Sequence, residues 1–138
     1  MKIIISFIVL ASSMMLSALT FAEVEVIVHP SNGAALDKDS IQRIYLGKTR
    51  AFPGGGEAVA ISMKEGSAAE GDFTKNVLGK SPKQLKAYWA KMVFTGKGTP
   101  PRQIDSAAEM VNLISANPNL IGFVPAGSAG GAKVVGKF

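Results

Sequence analysis

The sequence predicts an α/β fold in which a mostly parallel sheet is flanked by helices on both faces, giving three layers. Short runs rich in valine and isoleucine alternate with longer segments whose apolar residues recur at helical spacing. Aspartate or serine stands before the helical segments, and glycine or an Asn-Pro-Asn sequence follows them. Strands that alternate with helices are typical of a largely parallel sheet that is covered on both sides.

The first 22 residues are predicted to be a signal peptide. Lys2 is followed by an apolar run over residues 3–10, and the segment ends in the small residue Ala22. We therefore expect cleavage of this leader and export to the periplasm. A membrane-spanning helix is the alternative, because the stretch approaches the roughly 20 apolar residues that a span needs, but several hydroxyl residues interrupt it.

Residues 23–138 are predicted to form one domain. Removing 22 of the 138 residues leaves 116, which is enough for one core and too few for two. This segment holds 14 basic and 10 acidic residues, so its charge of +4 favours anionic partners. It contains no cysteine, which excludes disulfides and thiolate metal sites.

The first half of this domain is predicted to contain a strand, a helix and a second strand. Residues 24–29 read as a strand buried on both faces. Asp37 then caps a helix that stops at Gly47. The inward stripe of this helix is Ile41, Ile44 and Tyr45. A Gly/Pro loop over residues 49–57 leads to the second strand at residues 58–63.

Three capping boxes predict the starts of the remaining helices. They pair Ser67 with Glu70, Ser81 with Gln84, and Ser106 with Glu109. The first of these helices should run to about Leu78. The second buries one stripe, made of Leu85, Tyr88, Trp89, Met92 and Val93. The third faces inward through Ala107, Met110, Val111 and Ile114. Strands at residues 120–124 and 132–135 close the domain, separated by a glycine-rich turn.

Two phrases of the sequence resemble the phosphate-binding proteins of bacterial ABC importers. They are IQRIYLGKTRAFPGGG at residues 41–56 and YWAKMVFTGKGTPP at residues 88–101. In that family a helix ends in an (I/F)-(F/Y)-x-G-K turn before a Gly/Pro loop, and a later W…F-x-G-x-G-x-P stretch closes another helix. The resemblance implies a periplasmic-binding-protein-like fold. The short chain implies one lobe of a protein that normally has two.

The sharpest candidate site is the turn from the second strand into the next helix. Free backbone N–H groups and the helix dipole make such a turn suitable for an oxyanion. The family carries an Arg-x-x-Gly-Ser-Gly-Thr-like sequence here, which Gly66 and Ser67 match. Its arginine, second glycine and threonine fall on Met63, Ala68 and Ala69. Lys64 can supply a replacement charge, and Ala68 can offer its amide, so both join the candidate anion site.

Other residues bear on this candidate site. Ser67 has an alternative explanation as a helix cap paired with Glu70, which needs no ligand. Ser31 and Asn32 follow the first strand at its carboxyl end, where ligands gather in open α/β sheets, so they are second-rank anion contacts. The glycines at residues 54–56 and 127–131 lack the spacing of a P-loop or dinucleotide site and are interpreted as turns.

Catalysis and metal binding are not expected. His29 is the single histidine, and it stands beside Pro30 without a nucleophile elbow elsewhere in the chain. We interpret it as a strand-end residue with a local hydrogen bond. The acidic pairs are spaced for capping and solvent contact, not for paired acid–base work. We therefore expect no enzyme activity, no cofactor and no metal.

Two functions follow from these observations. The first is an exported binding protein for phosphate or a similar oxyanion, which the resemblance links to an ABC permease. The second is a single-lobe envelope interaction or sensing module without transport activity. A positive helix face would then dock an acidic envelope protein, through Lys80, Lys83, Lys86 and Lys91. A homodimer is an option, nucleic acid is not expected, and membrane contact is expected only through an uncleaved leader.

Overall fold

The computed structural model describes residues 23–138, so the predicted leader lies outside the described residues. The strands are β1 (Val24–Val28), β2 (Val59–Met63), β3 (Arg102–Ile104), β4 (Leu120–Pro125) and β5 (Lys133–Lys137). The helices are α1 (Lys38–Tyr45), α2 (Ala68–Asn76), α3 (Pro82–Phe94) and α4 (Ala107–Ala116). None of these helices is long and apolar enough to cross a bilayer.

The described strands form one mixed sheet in the order β3-β2-β4-β1-β5. β2 pairs in parallel with β3 and β4, whereas β1 pairs antiparallel with both β4 and β5. Four of these five strands therefore run in one direction, and β1 runs against them. The prediction of a mostly parallel sheet is confirmed in this sense, but the first strand is the exception to it.

Helices cover both faces of the sheet, which confirms the three layers. Phe123 of β4 stacks on Phe73 of α2, with ring centroids 4.0 Å apart, and Tyr45 of α1 packs against both rings. The next residue along β4, Gly122, points to the opposite face because neighbouring strand residues alternate. A Cβ atom there would lie 2.5 Å from Met110 Sδ of α4. Thus α1 and α2 pack on one face of the sheet and α4 on the other.

The first strand is buried on both faces, as predicted. All five of its side chains are buried, including the carboxylate of Glu25. That carboxylate accepts the N–H of Gly127 at 3.1 Å and lies 3.7 Å from Lys137 Nζ. The glycine-rich turn before β5 is therefore tied to the start of β1.

The helix starts were predicted correctly, but the capping boxes were only partly correct. Asp37, Ser67, Ser81 and Ser106 are the observed N-caps. Only α3 has the reciprocal box, in which Gln84 Oε1 also accepts the N–H of Ser81 at 2.9 Å. In α2 the Glu70 carboxylate instead turns inward and accepts the Thr74 hydroxyl at 3.1 Å.

Other sequence predictions also need correction. Strand β3 was not predicted, because three residues are too few to show periodicity. Val93 was placed on the inward stripe of α3, but its side chain is 53% exposed. Helix α3 packs on α2 and against the end of α1, and of its residues only Trp89 is buried. The last strand also begins one residue later than predicted and extends to Lys137.

Candidate functional site

The candidate anion site is the turn that connects β2 to α2. A tight turn follows Met63, in which the Ser67 N–H donates to the Lys64 carbonyl at 3.0 Å. Gly66 has φ +84°, a conformation that favours glycine, so its place in the predicted motif has a backbone reason. The Ser67 hydroxyl then accepts the N–H of Glu70 at 3.3 Å and caps the helix.

The first amides of α2 remain open donors. Glu70 and Gly71 donate to the side chain and carbonyl of Ser67, respectively. Within residues 23–138, the N–H groups of Gly66, Ala68 and Ala69 have no protein acceptor. Ala68 is exposed to solvent. The turn therefore presents unpaired backbone donors at the positive end of a helix, which is the arrangement that binds oxyanions.

The edge strand β3 holds this turn in place. The Lys64 N–H donates to the Ile104 carbonyl at 2.9 Å. The Glu65 N–H donates to Gln103 Oε1 at 3.3 Å. Gln103 is thus a positioning residue that sequence reasoning missed. The only signal for it was a polar stretch between Pro101 and Asp105, which gave no periodicity.

Side-chain charge at this turn is mixed. Lys64 and Glu65 are adjacent and exposed, and their opposite charges offset each other. Glu70, in the first turn of α2, is only 8% exposed. A carboxylate in the first helical turn interacts with the same dipole that attracts an external anion. The backbone donors therefore carry any anion affinity at this turn, with Lys64 as the one cation over residues 64–70.

The family's arginine and threonine have no counterparts in the structure. The arginine position is Met63, whose side chain is 5% exposed and belongs to the core. The threonine position is Ala69, which is also buried and carries no hydroxyl. The anion would consequently be bound without a bidentate guanidinium at this position.

Ser31 and Asn32 lie at the opposite edge of the sheet. Val28, the last residue of β1, pairs with Ile121 near the start of β4, and β4 runs parallel with β2. The carboxyl end of β1 therefore meets the amino end of β2, while Ser67 follows its carboxyl end. The sequence analysis included Ser31 and Asn32 because they follow the carboxyl end of a strand in a mostly parallel sheet, and the antiparallel direction of β1 separates them from Ser67.

The residues around Ser31 and Asn32 form a local turn. His29 Nδ1 lies 2.7 Å from Ser31 Oγ and accepts the Ser31 N–H at 3.1 Å, which agrees with the predicted local role of this histidine. Asn32 Oδ1 accepts the N–H of Ala34 at 2.9 Å. Ser31 and Asn32 line a broad cavity of about 410 Å³ together with the glycines at residues 54–56. That cavity is separate from the α2 site.

The two family-like phrases meet in space. The Tyr88 hydroxyl donates to the Leu46 carbonyl at 2.6 Å, and Gly47 and Gly98 both lie against the Trp89 ring. A groove of about 320 Å³ runs between the phrases and is lined by polar and charged groups that include Arg50, Lys97, Thr49 and Thr99. The phrases thus build a structural joint between α1 and α3, remote from Ser67 in the chain.

Comparison with solved structures finds the same fold in phosphate receptors. An ABC-type phosphate transport receptor from Vibrio cholerae matches with a TM-score of 0.63 and 15% identity over 83% of this chain and 45% of that one. A protein described as a phosphate ABC transporter substrate-binding protein from Clostridium perfringens, with bound phosphate, matches with a TM-score of 0.61, 20% identity, and coverage of 83% and 44%. PstS from Borrelia burgdorferi matches with a TM-score of 0.57 and 13% identity over 78% of this chain and 42% of that one.

These similarities establish the fold. The predicted resemblance to phosphate-binding proteins is confirmed at that level, and identities of 13 to 20% carry it no further. The chain spans less than half the length of each of these proteins. No protein-family model matches the chain, and comparison with curated proteins finds no significant relative.

Proposed function

We propose that this chain is an exported binding protein for phosphate or a similar oxyanion, and that the anion lies at the N-terminus of α2. The observation that carries this proposal is the set of unpaired amides at Gly66, Ala68 and Ala69, beside the Ser67 hydroxyl. A tetrahedral dianion has several acceptor oxygens and suits several neighbouring N–H donors. Two similar folds come from proteins described as phosphate receptors, and one of these was solved with phosphate bound.

Affinity should be modest for one chain alone. A small anion is normally enclosed by donors on several sides, which also exclude water. The α2 turn supplies donors from one side, and the nearby carboxylates of Glu65 and Glu70 oppose an added negative charge. A second chain, or the permease of an ABC importer, would complete the enclosure. Delivery of the anion to such a permease is the transport role that we propose.

A pair of serine substitutions tests the site. Ser67→Asp retains a good N-cap but places a carboxylate where the anion would lie, so we expect loss of phosphate binding with the fold intact. Ser81→Asp is the matched control, because Ser81 caps α3 beyond the far end of α2, about 13 Å away along nine helical residues. The readout is a calorimetric phosphate titration of residues 23–138. Equal phosphate affinity in the two variants would remove Ser67 from the site.

A second candidate function is an envelope interaction or sensing module without transport. The buried Met63 and Ala69 favour it, because neither can replace the arginine or hydroxyl that the family's pattern places there. Neither function requires catalysis, and the similar structures are described as receptors and substrate-binding proteins. We therefore also propose that the chain is not an enzyme. Saturable phosphate binding favours the first function, and its absence favours the second.

A further inference from the structure

Positive charge is concentrated in one continuous segment of the chain. Residues 73–104 contain seven lysines and arginines and no acidic residue. The rest of the 23–138 segment contains seven basic and all ten acidic residues. A segregation of this kind creates a local positive field that a net charge of +4 understates.

Helix α3 presents this charge on its outer face. At 100° per residue, Lys83, Ala87, Ala90 and Phe94 lie along one line of the helix, and Lys86 and Lys91 flank that line on either side. All six residues are exposed. The opposite side of the helix packs inward through Leu85, Tyr88 and Trp89. The outer face is thus a narrow apolar line between lysines.

A large apolar side chain stands at the end of this line. Phe94 is 92% exposed, and its neighbour Val93 is 53% exposed. Elsewhere in the described segment, the large apolar residues that are more than about a third exposed are Val59 and Val134, at 40% and 37%. An almost fully exposed phenylalanine is unfavourable in water unless another apolar phase takes it up.

The lysines of this face have no acidic partners in the described residues. The ion pairs there join Arg43 to Asp39 and Lys137 to Glu25, and neither includes residues 73–104. Lys80 lies 5.6 Å from the centre of the Tyr88 ring, a contact that leaves its charge uncompensated. The α3 face therefore carries both unneutralised charge and unburied apolar surface.

We propose that the outer face of α3 binds the surface of an anionic phospholipid membrane, with Phe94 inserted among the lipid chains. A helix that lies in the membrane plane has this pattern, since lysines on both flanks reach the headgroups while their stems and the apolar line face the acyl chains. Phe94 is 92% exposed at the C-terminal end of α3, so its ring is free to enter a deformable lipid surface. The membrane contact is independent of the proposed anion site.

Binding to vesicles tests the charge component. Residues 23–138 carry every described strand and helix and leave out the apolar leader, which would bind lipid by itself. Co-sedimentation with vesicles of phosphatidylglycerol and phosphatidylcholine should exceed that with phosphatidylcholine alone. The double variant Lys86→Gln/Lys91→Gln should weaken membrane partitioning roughly 25-fold, because each lysine near an anionic surface contributes about fivefold. The matched pair Lys38→Gln/Lys48→Gln removes two exposed charges elsewhere and should weaken it less than about threefold.

Phe94 tests the insertion component. Phe94→Ala should reduce partitioning about tenfold, whereas Val134→Ala, at another exposed apolar site, should leave it nearly unchanged. Phe94→Trp should be quenched by brominated lipid, while the wild-type Trp89, only 9% exposed, should not. Equal loss from both lysine pairs, or an unquenched Phe94→Trp, would overturn the proposal. Absence of vesicle binding would also overturn it and assign the face to an acidic protein partner.

Discussion

At the scale of single residues, Tyr45 joins two strands from beneath the sheet. Its hydroxyl lies within hydrogen-bonding distance of the Ile61 carbonyl of β2, at 2.9 Å, and the Ile121 carbonyl of β4, at 3.2 Å. Burial raises the pKa of the Tyr45 hydroxyl well above its usual value, so the group remains a neutral donor. Sequence reasoning placed Tyr45 in the core, but the role of its hydroxyl depends on strands that are distant in the chain.

Tyr45→Phe should lower the free energy of unfolding by about 1–3 kcal/mol, because it removes a buried donor from two carbonyls without changing the ring. Tyr88→Phe is the control, since the Tyr88 hydroxyl donates to one carbonyl in a half-buried position and its loss should matter less. Urea denaturation of both variants measures the difference. A Tyr45→Phe protein as stable as the wild type would show that this contact is not stabilising.

The residues of the candidate site were only partly predictable. Gly66 and Ser67 could be found because a left-handed glycine and a helix cap leave local sequence signals. Gln103 and the inward Glu70 could not, because their roles depend on an edge strand and on a packing choice within α2. A Ser-x-x-Glu sequence predicts the N-cap serine, but it does not determine whether the glutamate side chain accepts the N–H of that serine.

At the scale of elements, α1 and α3 are joined by the close approach of Gly47 to the Trp89 ring. Gly47 follows α1 with φ +70°, and a Cβ atom there would lie 3.3 Å from the ring. The two family-like phrases therefore encode one packing contact, which explains why both can be present without forming the anion site.

Gly47→Ala should destabilise the protein more than Gly79→Ala. Both glycines have positive φ, at +70° and +63°, so both substitutions carry a backbone cost of about 1 kcal/mol. A Cβ at Gly79 would meet nothing within 4 Å, whereas one at Gly47 would press on Trp89. Thermal unfolding of the two variants gives the packing contribution by difference. Equal shifts in Tm would contradict the proposed contact.

Helix starts were easier to predict than strand directions. Caps such as Asp37 and Ser81 act within one turn, so four residues suffice to recognise them. The direction of β1 is set by β4 and β5, which lie about a hundred residues later. Because β1 runs antiparallel, Ser31 and Asn32 lie at the opposite edge of the sheet from Ser67. Their distance from the α2 turn is therefore a matter of topology, which no local sequence signal reveals.

At the scale of the whole molecule, the fold was predictable and the function was less so. Alternating strands and helices, together with two phrases, indicated the architecture that solved phosphate receptors share over less than half their length. The chain combines the backbone donors of the proposed anion site with a separate cationic and apolar face on α3. The first feature favours a small dianion, and the second favours an anionic surface.

The most direct test of the central claim is a calorimetric titration of residues 23–138 with phosphate at low salt, with sulfate in parallel. We expect saturable one-to-one binding of phosphate with a Kd below about 1 mM, which corresponds to about 4 kcal/mol, and comparable binding of sulfate, because backbone N–H groups donate to the oxygens of either tetrahedral anion. A Kd tighter than roughly 10 μM would indicate that one chain or its dimer encloses the anion. If no heat of binding is detected up to about 10 mM phosphate, the binding free energy is weaker than about 3 kcal/mol. That result would contradict an anion site at α2.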